Sequence, residues 1–586
     1  MTAASRRARL AVLVGIAVGL TAGIDLVRWI RPGLLTDPDT LWTAARLLLG
    51  LGAACGAAAA GVLAAAAFLL WSRTRSAAAP LEPLRIRRGT RIGLAAAAIL
   101  AGTALRFVWL ERVPEPLWVD DLSLIRPALA LSGAPSDFAD SIRAAPYGAA
   151  KPYGSVGVLY LEGYRAALRL WGTTVFGVRF PSALAGSLSL VTAALLGRAL
   201  LPAGGGALAA LVLAGMRWAL ILSRWSWNMI VLAPIVDVAT LLLVSARRRG
   251  RPARAAAAGL VAGVGAHVYL SAWPAAAALL LFAAWPSPGG EAFRSRLLRA
   301  CAFSGAFALA VAPLFLLREG RSTSYFARTA DHNVWLEMAR TGSTMPPLAA
   351  AADALAAPWF LPDPTARHDL PGRSRLGWLL GIPAAVALGR ALLKPREALS
   401  ALLIAHALAG LAAVVAGGQA DHPNGARFAY LTSVAAVAAA AGWLWIIGRA
   451  RPGRRRAAAL AAVGALAVGG ALSSRDALVR WPAHRATFDG FHGQDTLIGR
   501  AAARWDAFGE VELAPGLGRS HLAIEAVRSY RLDPDASPSA QPLGSPRLRV
   551  RIAAAATAPL APERVVERVR DAFGREWARV LASRRS

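Results

Sequence analysis

Residues 226–245 have the sequence SWNMIVLAPIVDVATLLLVS, and residues 246–254, which follow at once, have the sequence ARRRGRPAR. The first stretch has the length of an apolar helix that crosses a bilayer, which needs about 20 residues. The second contains five arginines and no acid, the composition of a cytoplasmic loop under the positive-inside rule. Together they predict a membrane helix whose C-terminal end faces the cytoplasm.

Apolar runs of this length recur along most of the chain. The other candidate spans are 10–30, 42–71, 92–110, 175–200, 204–222, 255–286, 299–317, 375–392, 397–416, 428–447 and 457–473. All basic blocks between spans face one side only if 255–286 crosses twice, with a break at the polar turn that begins at His267. The length rule then predicts about 13 transmembrane helices, with the N-terminus inside.

The composition excludes several classes of protein. Of the 586 residues, 56% are hydrophobic and 17% are charged, against about 25% charged in soluble domains. A soluble multidomain enzyme, a disordered chain and a disulfide scaffold are therefore excluded. The net charge of +31 does not indicate nucleic-acid binding, because the arginines lie in short blocks between spans.

This topology predicts an all-α polytopic membrane protein with a small α/β extracytoplasmic C-terminal domain. Residues 1–91 would hold two additional helices and a basic linker, and residues 92–473 would form the main membrane module. The outer segments of that module are 111–174, 318–374 and 417–427. Residues 474–586 would form the soluble domain.

The soluble tail shows both strand and helix patterns. Residues 547–552 alternate with a period of two and predict a strand, and Val511 and Leu513 suggest another. After Pro562 the apolar residues have helical spacing, which predicts a helix. The residues of that stripe are Val566, Val569, Phe573, Trp577 and Val580.

An acid pair follows the third span, in the stretch PLWVDDL, residues 116–122. Asp120 and Asp121 could be solvated loop acids. Their place directly behind Trp118, at the membrane surface, favours partial desolvation, which raises the pKa of a carboxylate and makes it a better base.

Cations near the same outer face are the next feature. Lys151 lies in AKPY, residues 150–153, and Arg179 opens the stretch VRFPSA, residues 178–183. Cations beside an acid pair suit a substrate that carries a phosphate, because they stabilise charge on a departing phosphate. For Arg179 the alternative is snorkelling of the side chain at the membrane interface.

The order of these pieces resembles the membrane glycosyltransferases of GT-C fold, nearest to the protein mannosyltransferase and aminoarabinose transferase group. Further matches are Leu222-Ser-Arg224, the glycine-rich stretch that leads to His267-Val-Tyr269, and Asn424 to Tyr430. The likeness covers about residues 92–450.

The resemblance implies that Asp120 is the general base of an inverting transfer from a polyprenyl-phosphate sugar. It places Asp121 at the second acidic position, and Lys151 at a residue that contacts the donor phosphate. Tyr153 stands where the family has a second proline, and Asn228 lies where some members carry an acid.

The remaining candidates are assigned by position. Arg126 or Arg427 would help Lys151 to hold the phosphate, and Asp121 would orient the acceptor or bind a divalent cation. No other cofactor is indicated, and the outer pair Asp421 and His422 lacks a third metal ligand at suitable spacing. The candidate substrate-pocket residues are Arg179, Arg224, His267, Tyr269 and Tyr325.

Some of these candidates have a structural alternative. His267 could equally be a core histidine that is hydrogen-bonded to a neighbouring helix, and Tyr325 could belong to a surface loop. Two other classes of function stay open as well. A transporter or flippase of a lipid-linked precursor also needs many spans and interfacial cations, but it should show paired broken helices. A catalytically inactive scaffold should have lost the acid pair.

We therefore expect an inverting glycosyltransferase in the plasma membrane, with its active site and C-terminal domain outside the cytoplasm. Its expected partners are a polyprenyl-phosphate sugar and membrane lipid, with no nucleic acid. The sugar is open among arabinose, mannose, galactose and glucose. The acceptor is open among protein, lipid and glycan.

Overall fold

A computed structural model describes residues 87–130, 158–287, 291–316, 362–417, 425–532, 548–560 and 563–584. The predicted spans 10–30 and 42–71 lie outside the described residues, as do Lys151 and Tyr325. In the membrane module the α-helices are α1 (Arg88–Phe107), α2 (Val119–Ser123), α3 (Ile125–Ala130), α4 (Val158–Trp171), α5 (Val175–Leu200), α6 (Gly205–Ala214), α7 (Arg217–Leu222), α8 (Leu232–Arg249), α9 (Pro252–Ala266), α10 (Ala272–Ala284), α11 (Phe293–Val311), α12 (Pro313–Leu316), α13 (Gly377–Leu393), α14 (Ala398–Gly417), α15 (Thr432–Gly448) and α16 (Arg455–Arg475). Short 3-10 turns at Asn228–Val231, Gly425–Leu431 and Pro452–Arg454, and a π turn at Asp476–Arg480, adjoin these helices.

The all-α membrane architecture is confirmed. Among the described residues, six helical segments are long and apolar enough to cross a bilayer, and the pair α13 and α14, bent by 103°, makes up to seven. The predicted break after the glycine-rich stretch is also confirmed, because α9 ends at Ala266 and α10 begins at Ala272. The expected count of about 13 spans is not confirmed.

Two of the predicted spans have different outcomes in the structure. The predicted span 175–200 coincides with α5, because an uninterrupted apolar run is a local property of the sequence. The predicted span 204–222 is wrong as a single helix, since it divides into α6 and α7. Gly215 ends the first helix, and Met216 has extended backbone before the second.

Small residues allow the membrane helices to approach closely. A Cβ added to Gly442 on α15 would overlap the carbonyl group of Pro383 on α13, and one added to Gly259 on α9 would overlap the carbonyl group of Phe303 on α11. Close packing at small residues is a principal source of helix association in membranes. Asp237 lies fully buried in α8 and accepts a hydrogen bond from Thr192 at 2.5 Å, so it faces protein.

Contacts at the end of α10 link three of the basic blocks between spans, at 246–254, 294–299 and 394–396. Arg247 donates to the carbonyl groups of Phe282 and Trp285, at 2.6 and 2.9 Å. The indole of Trp285 donates to the carbonyl of Pro395 at 2.7 Å, and Arg299 pairs with Glu291. The grouping agrees with a common side for these blocks, while the side of the membrane that they face stays a prediction.

The C-terminal domain contains α17 (Arg485–Gly490), α18 (Gly493–Trp505), β1 (Gly509–Leu513), α19 (His521–Ser529), β2 (Leu548–Ala554), β3 (Arg564–Arg570) and β4 (Glu576–Arg584). The sheet order is β1-β2-β4-β3, with β1 and β2 parallel and the other pairs antiparallel. Ile498 of α18 packs with Val511, Val550 and Val580 in the core of the domain. A small α/β domain is thereby confirmed, including the two predicted strands.

The predicted helix after Pro562 is wrong. Its residues form β3 and β4, which make a hairpin through Gly574 at a φ of 82°. The apolar spacing was compatible with a helix, but β4 pairs along its length with β2, a partner that local periodicity does not reveal. The local signal for the hairpin is the glycine, which takes a left-handed conformation readily.

Candidate active site

Two buried arginines hold the loop that leads from α1 to the acid pair. Arg224 donates to the carbonyl groups of Leu105 and Val108, each at 2.7 Å. Arg179 donates to the carbonyl groups of Leu110 and Pro116, at 2.8 and 2.9 Å. These carbonyls lie at the end of a helix and in the segment after it, where the backbone has no helical partners. Both guanidinium groups therefore fix the path of the loop.

The two acids of the pair have different surroundings. Asp120 is half-buried and accepts a hydrogen bond from the indole of Trp118 at 2.9 Å. Asp121 is 2% exposed, and its Oδ1 has no hydrogen-bond partner among the described residues. Burial, and then the charge of Asp120, raises the pKa of Asp121 well above its ordinary range. Asp120 is thus the more accessible carboxylate of the pair.

Helix α4 connects the acid pair to the other membrane motifs. The hydroxyl of Tyr164 donates to the backbone carbonyl of Asp121 at 2.9 Å. One turn earlier, the hydroxyl groups of Tyr160 and Ser226 lie 3.0 Å apart. The backbone N–H of Leu159 donates to the carbonyl of His267 at 3.1 Å. One face of α4 therefore touches the acid pair, the turn before α8 and the break between α9 and α10.

The motifs that follow one another along the sequence also meet directly. Ser182, in the VRFPSA stretch, accepts a hydrogen bond from the backbone N–H of Trp227 at 2.9 Å. The next residue, Asn228, donates from its side-chain amide to the carbonyl of Val268 at 3.0 Å. Asn228 thus holds the helix break.

The structure places the other candidate residues as follows. His267 and Tyr269 are buried, and the Nε2 of His267 lies 2.9 Å from the carbonyl oxygen of Ala310 on α11. This arrangement is that of a core histidine bonded to a neighbouring helix. Arg126 is exposed on α3, and Arg427 is half-buried in the turn Gly425–Leu431.

Arg367 is a cation beside the acid pair that sequence reasoning missed. Its guanidinium group lies over the ring of Trp118, 3.6 Å from the ring centroid, and donates to the carbonyl of Gly490 at 2.5 Å. Burial lowers the pKa of Arg367 to about 10, against the opposing effect of the charges of Asp120 and Asp121. It therefore stays charged at neutral pH.

A network of buried charges holds the segment that carries Arg367. Asp363 accepts hydrogen bonds from the Nδ1 of His368 at 3.2 Å, from Arg375 at 3.0 Å and from the backbone N–H of Gly425 at 3.0 Å. Burial alone would raise the pKa of Asp363, but His368 and Arg375 hold it below its ordinary range. The only sequence signal for this segment was its high density of acids and bases between residues 363 and 375.

The C-terminal domain also contacts the acid-pair loop. Thr496 of α18 accepts a hydrogen bond from the backbone N–H of Leu117 at 3.0 Å. One turn later Arg500 reaches Glu115, with 3.3 Å between its guanidinium nitrogen and the carboxylate oxygen. The ring of His492 lies 4.8 Å from that of Trp118. The domain is thus part of the site.

Among the described residues, no group of three or more His, Cys, Asp and Glu side chains is arranged to hold a metal ion. A divalent cation on the acid pair stays a prediction.

Comparison with known proteins bears on the membrane module. Residues 163–315 match the family model described as dolichyl-phosphate-mannose-protein mannosyltransferase. The matched segment runs from α4 to α12 and includes Arg179, Arg224 and the helix break, but it does not include the acid pair. Comparison with curated protein sequences finds no significant match.

Solved structures of membrane enzymes are similar at low identity. ArnT from Cupriavidus metallidurans in the apo state is 12% identical, with 84% of this chain and 98% of that chain covered and a TM-score of 0.47. The oligosaccharyltransferase AglB from Archaeoglobus fulgidus, in complex with an inhibitory peptide and a dolichol-phosphate, is 14% identical, with coverage of 77% and 60% and a TM-score of 0.44. The match thus spans less than two thirds of that protein. Over residues 163–315 the chain carries the signature of the mannosyltransferase family, which confirms the resemblance to that group of membrane glycosyltransferases.

Proposed function

We propose that this protein transfers a sugar from a polyprenyl-phosphate donor to an acceptor outside the cytoplasm, with inversion at the sugar carbon. The observation that carries the proposal is the half-buried carboxylate of Asp120, beside the guanidinium group of Arg367 and one loop beyond a membrane span. A lipid-linked donor keeps its chain in the bilayer and its phosphate at the headgroup level. An acid and a cation at the end of a membrane helix lie where that phosphate and sugar would be.

Each group then has a chemical role. Asp120 takes the proton of an acceptor hydroxyl or amine, whose lone pair attacks the first carbon of the sugar. The bond from that carbon to the phosphate oxygen breaks, and the electron pair leaves with the polyprenyl phosphate. Cations stabilise the charge that grows on this leaving group. Arg367 is a described cation beside the acid pair, and we assign Lys151, with Arg126 or Arg427, to the same role.

The buried Asp121 has a supporting role in this proposal. Its raised pKa favours the protonated form, which lessens the repulsion between the two carboxyl groups. The alternative for Asp121 is that it joins Asp120 in holding a divalent cation, which would supply further positive charge near the phosphate. Loss of activity in chelator, restored by added metal, would support that alternative.

The description of the matched family names a dolichyl-phosphate-linked mannose donor and a protein acceptor. It supports the class of donor that we propose, and we leave the sugar and the acceptor open. We place the enzyme in the plasma membrane, with Asp120 and the C-terminal domain on the extracytoplasmic side. The five arginines of the basic block 246–254 support this orientation, since loops rich in arginine stay in the cytoplasm.

The test is turnover of a radiolabelled polyprenyl-phosphate sugar by purified full-length protein. We expect Asp120→Asn to lower the rate by about 10²–10⁴-fold, the usual contribution of a general base. Asp506→Asn is the matched control, because Asp506 pairs with Arg528 in the C-terminal domain, 2.8 Å away. Equal rates for the wild type and Asp120→Asn would refute the assignment of the base. Absence of turnover by the wild type would instead favour a flippase.

A further inference from the structure

His492 and the first turn of α18 contain buried polar atoms without partners. His492 Nδ1, Gln494 Oε1 and Asp495 Oδ2 have no hydrogen-bond partner among the described residues. Gln494 is 2% exposed and Asp495 is 1% exposed. Native proteins rarely leave buried polar atoms unpaired, so three such atoms within four residues point to a ligand that is not part of the chain.

Two of these atoms lie close together, and we call the place beside them the polar recess. His492 Nδ1 lies 4.0 Å from Asp495 Oδ2, which is too long for a direct hydrogen bond. One hydroxyl group placed beside both atoms would lie within hydrogen-bond distance of each. His492 has a left-handed backbone, with φ at 52°, and non-glycine residues in this region are found preferentially at functional sites.

The recess lies next to the acid pair. The His492 ring contacts the ring of Trp118, whose indole donates to Asp120. Thr496, the residue after Asp495, binds the backbone of Leu117. A molecule that fills the recess is thus in a position to present a neighbouring group to Asp120.

The chemistry of the recess selects one class of ligand. Gln494 Oε1 and Asp495 Oδ2 are hydrogen-bond acceptors, and a neutral imidazole can either donate or accept. Burial lowers the pKa of His492 to about 4, so the imidazole is neutral at physiological pH. Acceptor atoms of this kind suit a ligand with several hydroxyl groups.

We propose that His492, Gln494 and Asp495 form an acceptor subsite in the C-terminal domain, which binds hydroxyl groups of a sugar-bearing acceptor. This inference rests on the proposed function. The side chains bind a hydroxyl group that neighbours the one deprotonated by Asp120, so they select the acceptor and leave the donor unaffected.

The experiment uses native membranes as the source of the acceptor, with the chromosomal copy replaced by each variant at equal abundance. A radiolabelled polyprenyl-phosphate sugar is added, and label is measured in transferred product and in free sugar released by water. For Asp495→Asn we expect transfer to fall by at least about tenfold, as for the loss of a hydrogen bond to a charged group. Release of free sugar should stay within twofold of the wild type.

His492→Gln is the second variant, and it should likewise lower transfer while the release of free sugar stays within twofold of the wild type. Asp506→Asn is again the matched control and should leave both pools unchanged. Transfer within twofold of the wild type in both variants would overturn the inference, as would an equal fall of transfer and free-sugar release. A wild type that labels neither pool would overturn the proposed function itself, and the two failures are therefore distinguishable.

Discussion

The contact between Thr496 and Leu117 offers the sharpest test of whether the C-terminal domain positions the catalytic loop. The Thr496 hydroxyl accepts from the buried backbone N–H of Leu117 at 3.0 Å, three residues before Asp120. Thr496→Val keeps the shape of the side chain and removes the hydroxyl, which also donates to the carbonyl of Leu117 at 3.5 Å. The N–H of Leu117 would then be buried without a partner whenever the loop stays docked.

The magnitude follows from the cost of an unpaired buried donor, which is about 1–3 kcal/mol. Since about 1.4 kcal/mol corresponds to a factor of ten, the population of the docked loop falls by a factor of about 5 to 150 relative to that of the undocked loop. We expect kcat to fall within that range. The KM for the donor should stay near its wild-type value, because Arg367 and the membrane-module cations are untouched.

Initial rates at several concentrations of labelled donor separate these two quantities. Thr496→Ser retains the hydroxyl group and should restore kcat. Arg504→Gln is the matched control on the same helix, because Arg504 pairs with Glu567 of the sheet at 2.5 Å. A kcat for Thr496→Val within twofold of the wild type would show that the contact does not position the base.

Three further outcomes are expected. Gly425→Ala should lower the thermal unfolding midpoint by the equivalent of about 1–3 kcal/mol of overpacking, because the added Cβ would overlap a buried carboxylate. Gly453→Ala should leave the midpoint unchanged, because there is open space around Gly453. Arg367→Gln should lower the transfer rate by about 10²–10³-fold, as for the loss of one positioned donor, and an unchanged rate would remove Arg367 from the site. Burial raises the pKa of Asp495 to about 6, so the unfolded chain loses its proton first as the pH rises from about 4. The unfolding free energy should therefore fall between about pH 4 and pH 6, and Asp495→Asn should flatten that slope in thermal melts.

The membrane part of the fold could be predicted because its signal is local. A run of about 20 apolar residues forms a helix in a bilayer whatever its neighbours are, and α5 accordingly begins and ends where its apolar run does. The tail is different, because the choice between helix and strand after Pro562 depended on pairing with β2. Local periodicity contains no information about such a partner.

The candidate site could be predicted in part for the same reason. Asp120 could be identified because it lies in the loop after a span, and both the span and the loop are visible in the local sequence. Thr496 and Leu117 are 379 residues apart in the sequence. Arg367 lies against Trp118 in the folded chain, on a segment that the buried network around Asp363 holds in place. Arg179 and Arg224 were recognised as motif residues, but their bonds to loop carbonyl groups require the folded chain.

The unequal surroundings of the two acids determine how the pair can work. Successive residues of a helix point about 100° apart, so α2 directs one carboxylate toward its packed side and leaves the other accessible. Asp121 is buried against α4, where an unpaired charge would be costly, and repulsion by the charge of Asp120 adds to burial in raising its pKa. Neutralising Asp120 would relieve that repulsion, but it would not expose Asp121 to an acceptor. The second acid therefore cannot replace the first, and loss of Asp120 alone should be enough to stop deprotonation of the acceptor.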